Sequence, residues 1–512
     1  MKKKLVALTL SAVMALSLIG CGSQGSGGNQ ESSKDSSSQQ ESEAKESQEA
    51  TGKEESSEEA SGDSAGEPVT LRIWFQEPSL GDEGKIADYI NELPQVKDLN
   101  VKIEICKWNW DRSNLPLQIA GDEQMDIGWD GGSDFISRVN MDAYADISEY
   151  LKNDPEFYNA IPESLWLGTT LRGGIYGVPT YKELGEQWAL LVDKNVLQKT
   201  GIDAASIKTI ADAEPLLKAM QEQSLGAMYI ANYQESLKLG MFDAYDFTPY
   251  YLGVINRSDA AKVENLYETQ KFADYVKLMY DWNQKGYIPE EALTDSVNWV
   301  NSQHELYGNY CLRYCSYAPY TEKNNVDYDL EPIFLEQPVV TNDATRGSIF
   351  GIYKKCKNPE KAYQFLKLWN TDPEIKNAIT WGIPDVHYRL VDGQLEDLNK
   401  ESSYVCMNWA SGNVMISYTT VNEPKDKYEQ YEKWNQSAVP AADLGIVYNF
   451  DEVRDTVTNC TSLLEAYLTP LLLAFVEPES GIEQLNQKLK DAGVEDVIAA
   501  QDAQYQDFLQ DK

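Results

Sequence analysis

Three short stretches set a tryptophan beside a hydrogen-bonding side chain at the end of a β-like run. They are Trp74 with Gln76 and Glu77, the segment 108–111, and Trp129 with Asp130 and Gly131. An indole ring offers a broad apolar face, and a neighbouring carboxylate or amide bonds polar groups at its edge. That pairing suits a flat ligand with a polar rim. Core packing is the competing reading of any tryptophan. Loop-forming residues follow Trp74 and Trp129 and favour a cleft position. Trp166, Trp282 and Trp369 lie in helical apolar patterns and read as core, while Trp381 and Trp409 fit either place.

The elements that would position these residues alternate. Residues 69–75 (VTLRIWF) read as a buried strand, 85–93 as a helix and 100–105 as a second strand. Residues 115–120 read as a helix and 125–129 as a third strand. This βαβ rhythm predicts a parallel α/β sheet, whose ligands bind beyond the carboxyl ends of its strands. Glycine and proline punctuate 173–181 (GGIYGVPTY), predicting a turn that feeds an extended crossing. Buried strands are expected at 188–192, 310–314 and 348–353, and a mostly helical region over 203–301. Asn358 and Pro359 open a helix over 359–369, and further helices close the chain from Gly481 onward.

The first residues carry a separate signal. Lys2, Lys3 and Lys4 precede an apolar run that ends Leu18-Ile19-Gly20-Cys21. A secretory peptide needs small residues before its cleavage site. A cysteine directly after it can be acylated, which is the bacterial lipoprotein pattern with Cys21 as the lipidated residue. The run is shorter than the roughly 20 residues that span a bilayer. Residues 21–67 are almost entirely Ser, Glu, Gln, Gly, Lys and Ala and predict a disordered acidic tether. The expected address is the extracellular face of the cell membrane, held there by lipid.

A net charge of −38 argues against nucleic acid as a partner, because binding phosphates needs a basic face. The roughly 445 residues from Pro68 onward exceed one core and suit two domains or lobes. Besides Cys21 there are six cysteines (Cys106, Cys311, Cys315, Cys356, Cys406 and Cys460), irregularly spaced. Buried free thiols are favoured over bridges.

Taken in order, the lipobox, the Ser/Glu tether, VTLRIWF, AGDEQMDIGWD, GGIYGVPTYKE and GIYKKCKNPEKAYQFLKLW resemble the extracellular solute-binding proteins of ABC importers. The resemblance is to family 1, the maltose-binding-protein-like sugar-binding group. WGIPDVHY, WASGN and the last 90 residues resemble a Gram-positive lipoprotein subgroup with an extended C-terminal helical region.

The resemblance implies an α/β, two-lobed, periplasmic-binding-protein-like fold of the class II type, hinged between lobes, with a helical C-terminal extension. Its expected parts are a signal peptide at 1–20, the tether at 21–67, lobe 1 at 68–182 plus about 345–385, and lobe 2 at about 183–344 plus 386–512. Position by position, Trp129 and Asp130 fall where the family places a ring and a polar group on the ligand. Glu183 falls where a crossing-strand carboxylate accepts sugar hydroxyls, and Tyr317 falls in a loop that holds a stacking aromatic. Tyr181 lies in the same crossing as Glu183. With Trp74, Gln76, Glu77 and Trp381 they make up the expected ligand-binding set. A sugar, with its apolar C–H face and hydroxyl rim, matches that chemistry.

The implied function is a lipid-anchored monomer that captures a carbohydrate, an oligosaccharide in particular, and delivers it to an ABC permease without cofactor or metal. An oligopeptide or other polar solute is the alternative ligand. Asp130 and Glu183 would suit glycoside hydrolysis if held about 5–9 Å apart, which makes a glycan-degrading enzyme the rival class. Nothing marks either residue as catalytic. Only His304 and His387 exist, there is no G-x-S-x-G elbow, and no zinc or calcium motif occurs. His387 reads as structural, and the expectation is a binder and not an enzyme.

Overall fold

Five strands build the first sheet, in an order that brings the tryptophan-bearing segments together. In the computed structural model Val69–Phe75 lies between Val101–Lys107 and Ile127–Asp130, parallel to both. Ile349–Ile352 runs antiparallel beside the third strand, and Val178–Pro179 forms the far edge. The structure describes residues 66–75, 81–107, 115–121, 124–229, 233–288, 312–317, 330–398, 404 and 406–511. Gln76, Glu77, the segment 108–111, His304 and Cys21 lie outside them, as does all of the expected leader and nearly all of the tether.

Why these strands form is plain from their burial. Leu71, Ile73 and Phe75 alternate on one face and are at most 4% exposed. Ile86 and Ile90 on the helix Glu83–Glu92 share their core, at helical spacing. From the helix Pro359–Thr371, Trp369 meets Phe75 and Phe350 at centroid distances of 5.5 and 4.4 Å. Trp166, Trp282 and Trp369 are all fully buried, as their helical patterns predict.

The second sheet is built on Gln187–Asp193, whose first six residues are buried. Leu330–Phe334 and Leu312–Tyr317 flank it antiparallel, and Met228–Tyr229 adds a parallel edge. The region 203–301, read as mostly helical, is so over its described residues, and it also holds an antiparallel sheet of Tyr245–Phe247, Gly253–Asn256 and Val263–Asn265. Strands of three or four residues are too short to display an alternation of period two.

Among the described residues, three stretches run side by side between the two sheets. Residues 180–186 leave the first sheet for the second, and Glu186 exchanges backbone hydrogen bonds with Val339, both 2.8 Å. Val339–Val340 then pairs in parallel with Val439–Pro440. The helix Lys427–Ser437 clamps the first stretch from outside. Its Asn435 amide donates to the Lys182 carbonyl (2.9 Å) and accepts from the Leu184 N–H (2.7 Å), and the Trp434 indole donates to the Gly185 carbonyl (3.0 Å).

The chain ends in the helices Arg454–Leu472, Pro478–Asp491 and Val494–Asp511. Glu477 caps the second of these through the N–H groups of Glu479 and Ser480, so it starts earlier than Gly481. Asp502 and Tyr505 of the last helix bond Val263 N and Ala260 O, fastening this extension to the small sheet. Among the described residues no helix is long and apolar enough to cross a membrane. Cys356 and Cys460 are buried free thiols.

Candidate functional site

The third strand ends in a charge-paired turn that orients Trp129. Asp130 is fully buried. One of its carboxylate oxygens accepts from the Arg138 guanidinium and the Gly131 N–H (2.8 Å), the other from the Tyr144 hydroxyl (2.6 Å). Burial, then the neighbouring Tyr353 phenol and the Asp130 carboxylate, raise the Tyr144 phenol well above its ordinary range. A buried carboxylate needs such pairing. It commits the Asp130 side chain inside the protein and leaves Trp129 as the less buried member of the pair.

Trp129 is half-buried, and its indole N–H donates to the Ser348 hydroxyl at 2.8 Å. Ser348 in turn donates to the Ala410 carbonyl (3.2 Å), so the Thr180 hydroxyl, 2.9 Å away, is the donor of that second pair. One serine thus ties the third strand, the first crossing and a distant loop together. That loop carries Trp409, which is 40% exposed. The Lys182 ammonium lies 5.2 Å from the centroid of the Trp409 ring and 3.9 Å from the Glu183 carboxylate. The loop turns at Gly412, whose φ is +71°, and a Cβ there would sit 3.0 Å from the Trp369 indole nitrogen.

The remaining expected residues are placed as follows. Trp74 is 8% exposed and packs with Leu115, Phe135, Tyr144 and Ile349, a core position. Tyr181 is also buried, and its hydroxyl donates to Glu432 at 3.1 Å. Burial, then that carboxylate, push its phenol up to about 12. Glu183 is half-buried in the crossing. Tyr317 closes the strand Leu312–Tyr317 opposite Gln187. Trp381 ends the helix Pro373–Trp381, half-buried, with no hydrogen-bond partner for its buried indole nitrogen among the described residues. His387 is buried; its Nδ1 accepts from the Ile383 N–H and its Nε2 faces Asp82 at 3.5 Å.

The structure therefore ties Trp129 through Ser348 to the loop that carries Trp409, and sets the Lys182 ammonium, with Glu183 next to it in the chain, beside that ring. Lys182 and Trp409 are absent from the expected set. The loop glycine at 412 marks a tight turn after Trp409, but no local pattern links that loop to Lys182.

On the second side of the crossing, Glu186 accepts from Lys238 (2.6 Å), the Trp188 indole (3.0 Å) and Thr341 (3.3 Å). Burial would raise the Glu186 carboxyl, yet the Lys238 ammonium holds it below the usual range.

This architecture, with two sheets joined by several crossings and a helical extension, is that of the two-lobed solute-binding proteins. The N-glycan transport solute binding protein (NgtS) from Streptococcus pneumoniae superposes with a TM-score of 0.74 at 21% identity, over 86% of this chain and 99% of that one. The alginate-binding protein AlgQ2 without calcium ion superposes at 0.57 and 15% identity, over 86% and 98%. In sequence, a carbohydrate ABC transporter substrate-binding protein of Streptococcus pneumoniae serotype 4 is 24% identical over 479 residues, 88% of this chain and 93% of its own length. Residues 443–510 match a domain of unknown function (DUF3502). That match coincides with the C-terminal helical extension.

Proposed function

We propose that this protein captures an oligosaccharide between its two lobes and hands it to an ABC permease. The observation that carries the reading is the exposed Trp409 ring with the Lys182 ammonium 5.2 Å from its centroid, on a loop tied through Ser348 to Trp129, in a solute-binding fold. A ring packs on the C–H face of a sugar, while an ammonium and a carboxylate bond its hydroxyls. A similar solved protein is an N-glycan transport solute binding protein whose structure is known in complex with Man1GlcNAc and with Man5GlcNAc. The curated relative is named for carbohydrate transport.

Within this reading the first sheet belongs to lobe 1 (68–182 plus about 345–385) and the second to lobe 2 (about 183–344 plus 386–512). Trp129, Glu183 and Trp409 contact ligand, with Lys182. Tyr181 sets the crossing, Trp74 and Asp130 support the wall behind it, and Gln76, Glu77, Tyr317 and Trp381 remain proposed contacts. Closure is driven by a ligand that bridges the lobes and so stabilises the closed state. The chain acts as a binder without covalent chemistry, since the Asp130 carboxylate is already committed to Arg138 and Tyr144. Acylated Cys21 anchors the chain as a monomer at the extracellular face.

A thermal-shift screen of the chain from Pro68 against oligosaccharides and a peptide pool tests this. At a hundredfold excess over Kd a ligand adds about 2.7 kcal/mol to the folded state. A rise with one glycan class, recovered intact by chromatography, supports the proposal. A rise with peptides alone refutes the carbohydrate reading, and cleaved glycan refutes the assignment as a binder.

A further inference from the structure

We propose that Lys376 is the positioning residue of this site: its ammonium pins the loop at residues 408–411 and holds Trp409 in its exposed, stacking orientation. This rests on the glycan-binding reading of Trp409.

Lys376 is fully buried on the helix Pro373–Trp381, which Asp372 caps through the N–H groups of Glu374 and Ile375. Its Nζ donates to Thr380 Oγ1 (2.6 Å), Asn408 Oδ1 (2.7 Å) and Ser411 Oγ (3.0 Å). Asn408 and Ser411 bracket Trp409 and Ala410, the residue whose carbonyl receives Ser348. A buried lysine without a carboxylate partner is costly and needs a reason.

The cradle accounts for its own protons. The Thr380 hydroxyl donates to the Lys376 carbonyl (2.8 Å), so its oxygen is left to accept from Lys376 and from Ser411. Asn408 Oδ1 also accepts from Ser417 (2.8 Å). Three neutral oxygens therefore face the three N–H bonds of an ammonium. A neutral amine would fill only two of them and turn a lone pair toward the third.

Burial, opposed by the nearby Cys406 thiol, pushes Lys376 down to about 7, and the Tyr428 hydroxyl meets the cradle through Asn408. The clamp consequently loosens near neutral pH, and Trp409 loosens with it. Neither Thr380, Asn408 nor Ser411 carries a charge that would mask this step.

The test compares the chain with Lys376→Met by calorimetry with the glycan found in the screen, and by acrylamide quenching of the Trp409 emission, taken as the difference from Trp409→Phe. The variant is expected to bind about tenfold more weakly at pH 6.5 while still unfolding cooperatively. The parent should lose about threefold in affinity between pH 6 and 8.5, and the variant should show no such slope. Equal affinity at pH 6.5, or the same slope in both, overturns the proposal. If Lys376→Met does not fold, Ser411→Ala removes one acceptor and should weaken binding by about threefold; unchanged binding overturns the clamp. If the parent binds no glycan, the functional reading fails by itself. The clamp is then decided by quenching: a changed Trp409 signal in Lys376→Met supports it, and an unchanged one overturns it.

Discussion

The Lys182 ammonium stands 5.2 Å from the centroid of the Trp409 ring, a cation facing an exposed indole across the start of the crossing. Lys182 is held there through its backbone, because the Asn435 amide bonds its carbonyl and the neighbouring Leu184 N–H. The ring is held by its loop. The two therefore report on ligand contact separately from the folding of either lobe.

Replacing Trp409 with alanine is expected to weaken glycan binding by tenfold or more, since a sugar face loses its stacking partner (order of magnitude from ring burial). The residue is 40% exposed, so stability should fall by about 1–3 kcal/mol, less than for a fully buried tryptophan. Calorimetry beside urea unfolding checks both numbers. A large stability loss with unchanged affinity would return Trp409 to the core.

Lys182→Met should keep the aliphatic stem over the ring and remove the charge. A cation over an indole contributes about 0.5–2 kcal/mol. Affinity is expected to drop about threefold to tenfold, and the drop should shrink at high salt only slightly because the pair is sheltered. A titration at two ionic strengths decides.

Asp130→Ala tests the buried pair behind Trp129. Removing one partner leaves the Arg138 charge buried and Tyr144 without its acceptor, at a cost of about 3–5 kcal/mol. The unfolding midpoint in urea should fall accordingly. A near-neutral outcome would mean that Arg138 finds solvent or Asp134 instead, to which it already donates at 3.0 Å.

The crossing should also be sensitive to pH. Glu336 accepts from the Trp188 N–H at 2.6 Å, and burial pushes its carboxyl from 4.5 up to about 8. Between those values the folded chain holds a proton that the unfolded chain has released. Stability from this group is thus full below about 4.5 and is lost as pH rises through about 8. Melting temperature should decline over that window in the parent and decline less in Glu336→Gln.

The sequence by itself determined the local elements with strong periodicity. The strand Val69–Phe75 and the helix Leu115–Ala120 fall where their apolar patterns predict them, and Trp166, Trp282 and Trp369 are core. Local alternation and helical spacing act between neighbours in the chain, so the chain records them directly. The short sheet of Tyr245–Phe247 and its partners escaped notice because three residues cannot establish a period.

Only the tertiary structure decided which candidate side chains face outward. Asp130 and Trp129 are adjacent, yet one is buried by Arg138 and Tyr144 while the other reaches Ser348. Trp409 and Lys182 lie far apart in sequence and meet because the crossing and the clamped loop converge. Such contacts depend on the packing of the whole lobe, and no spacing rule along the chain encodes them.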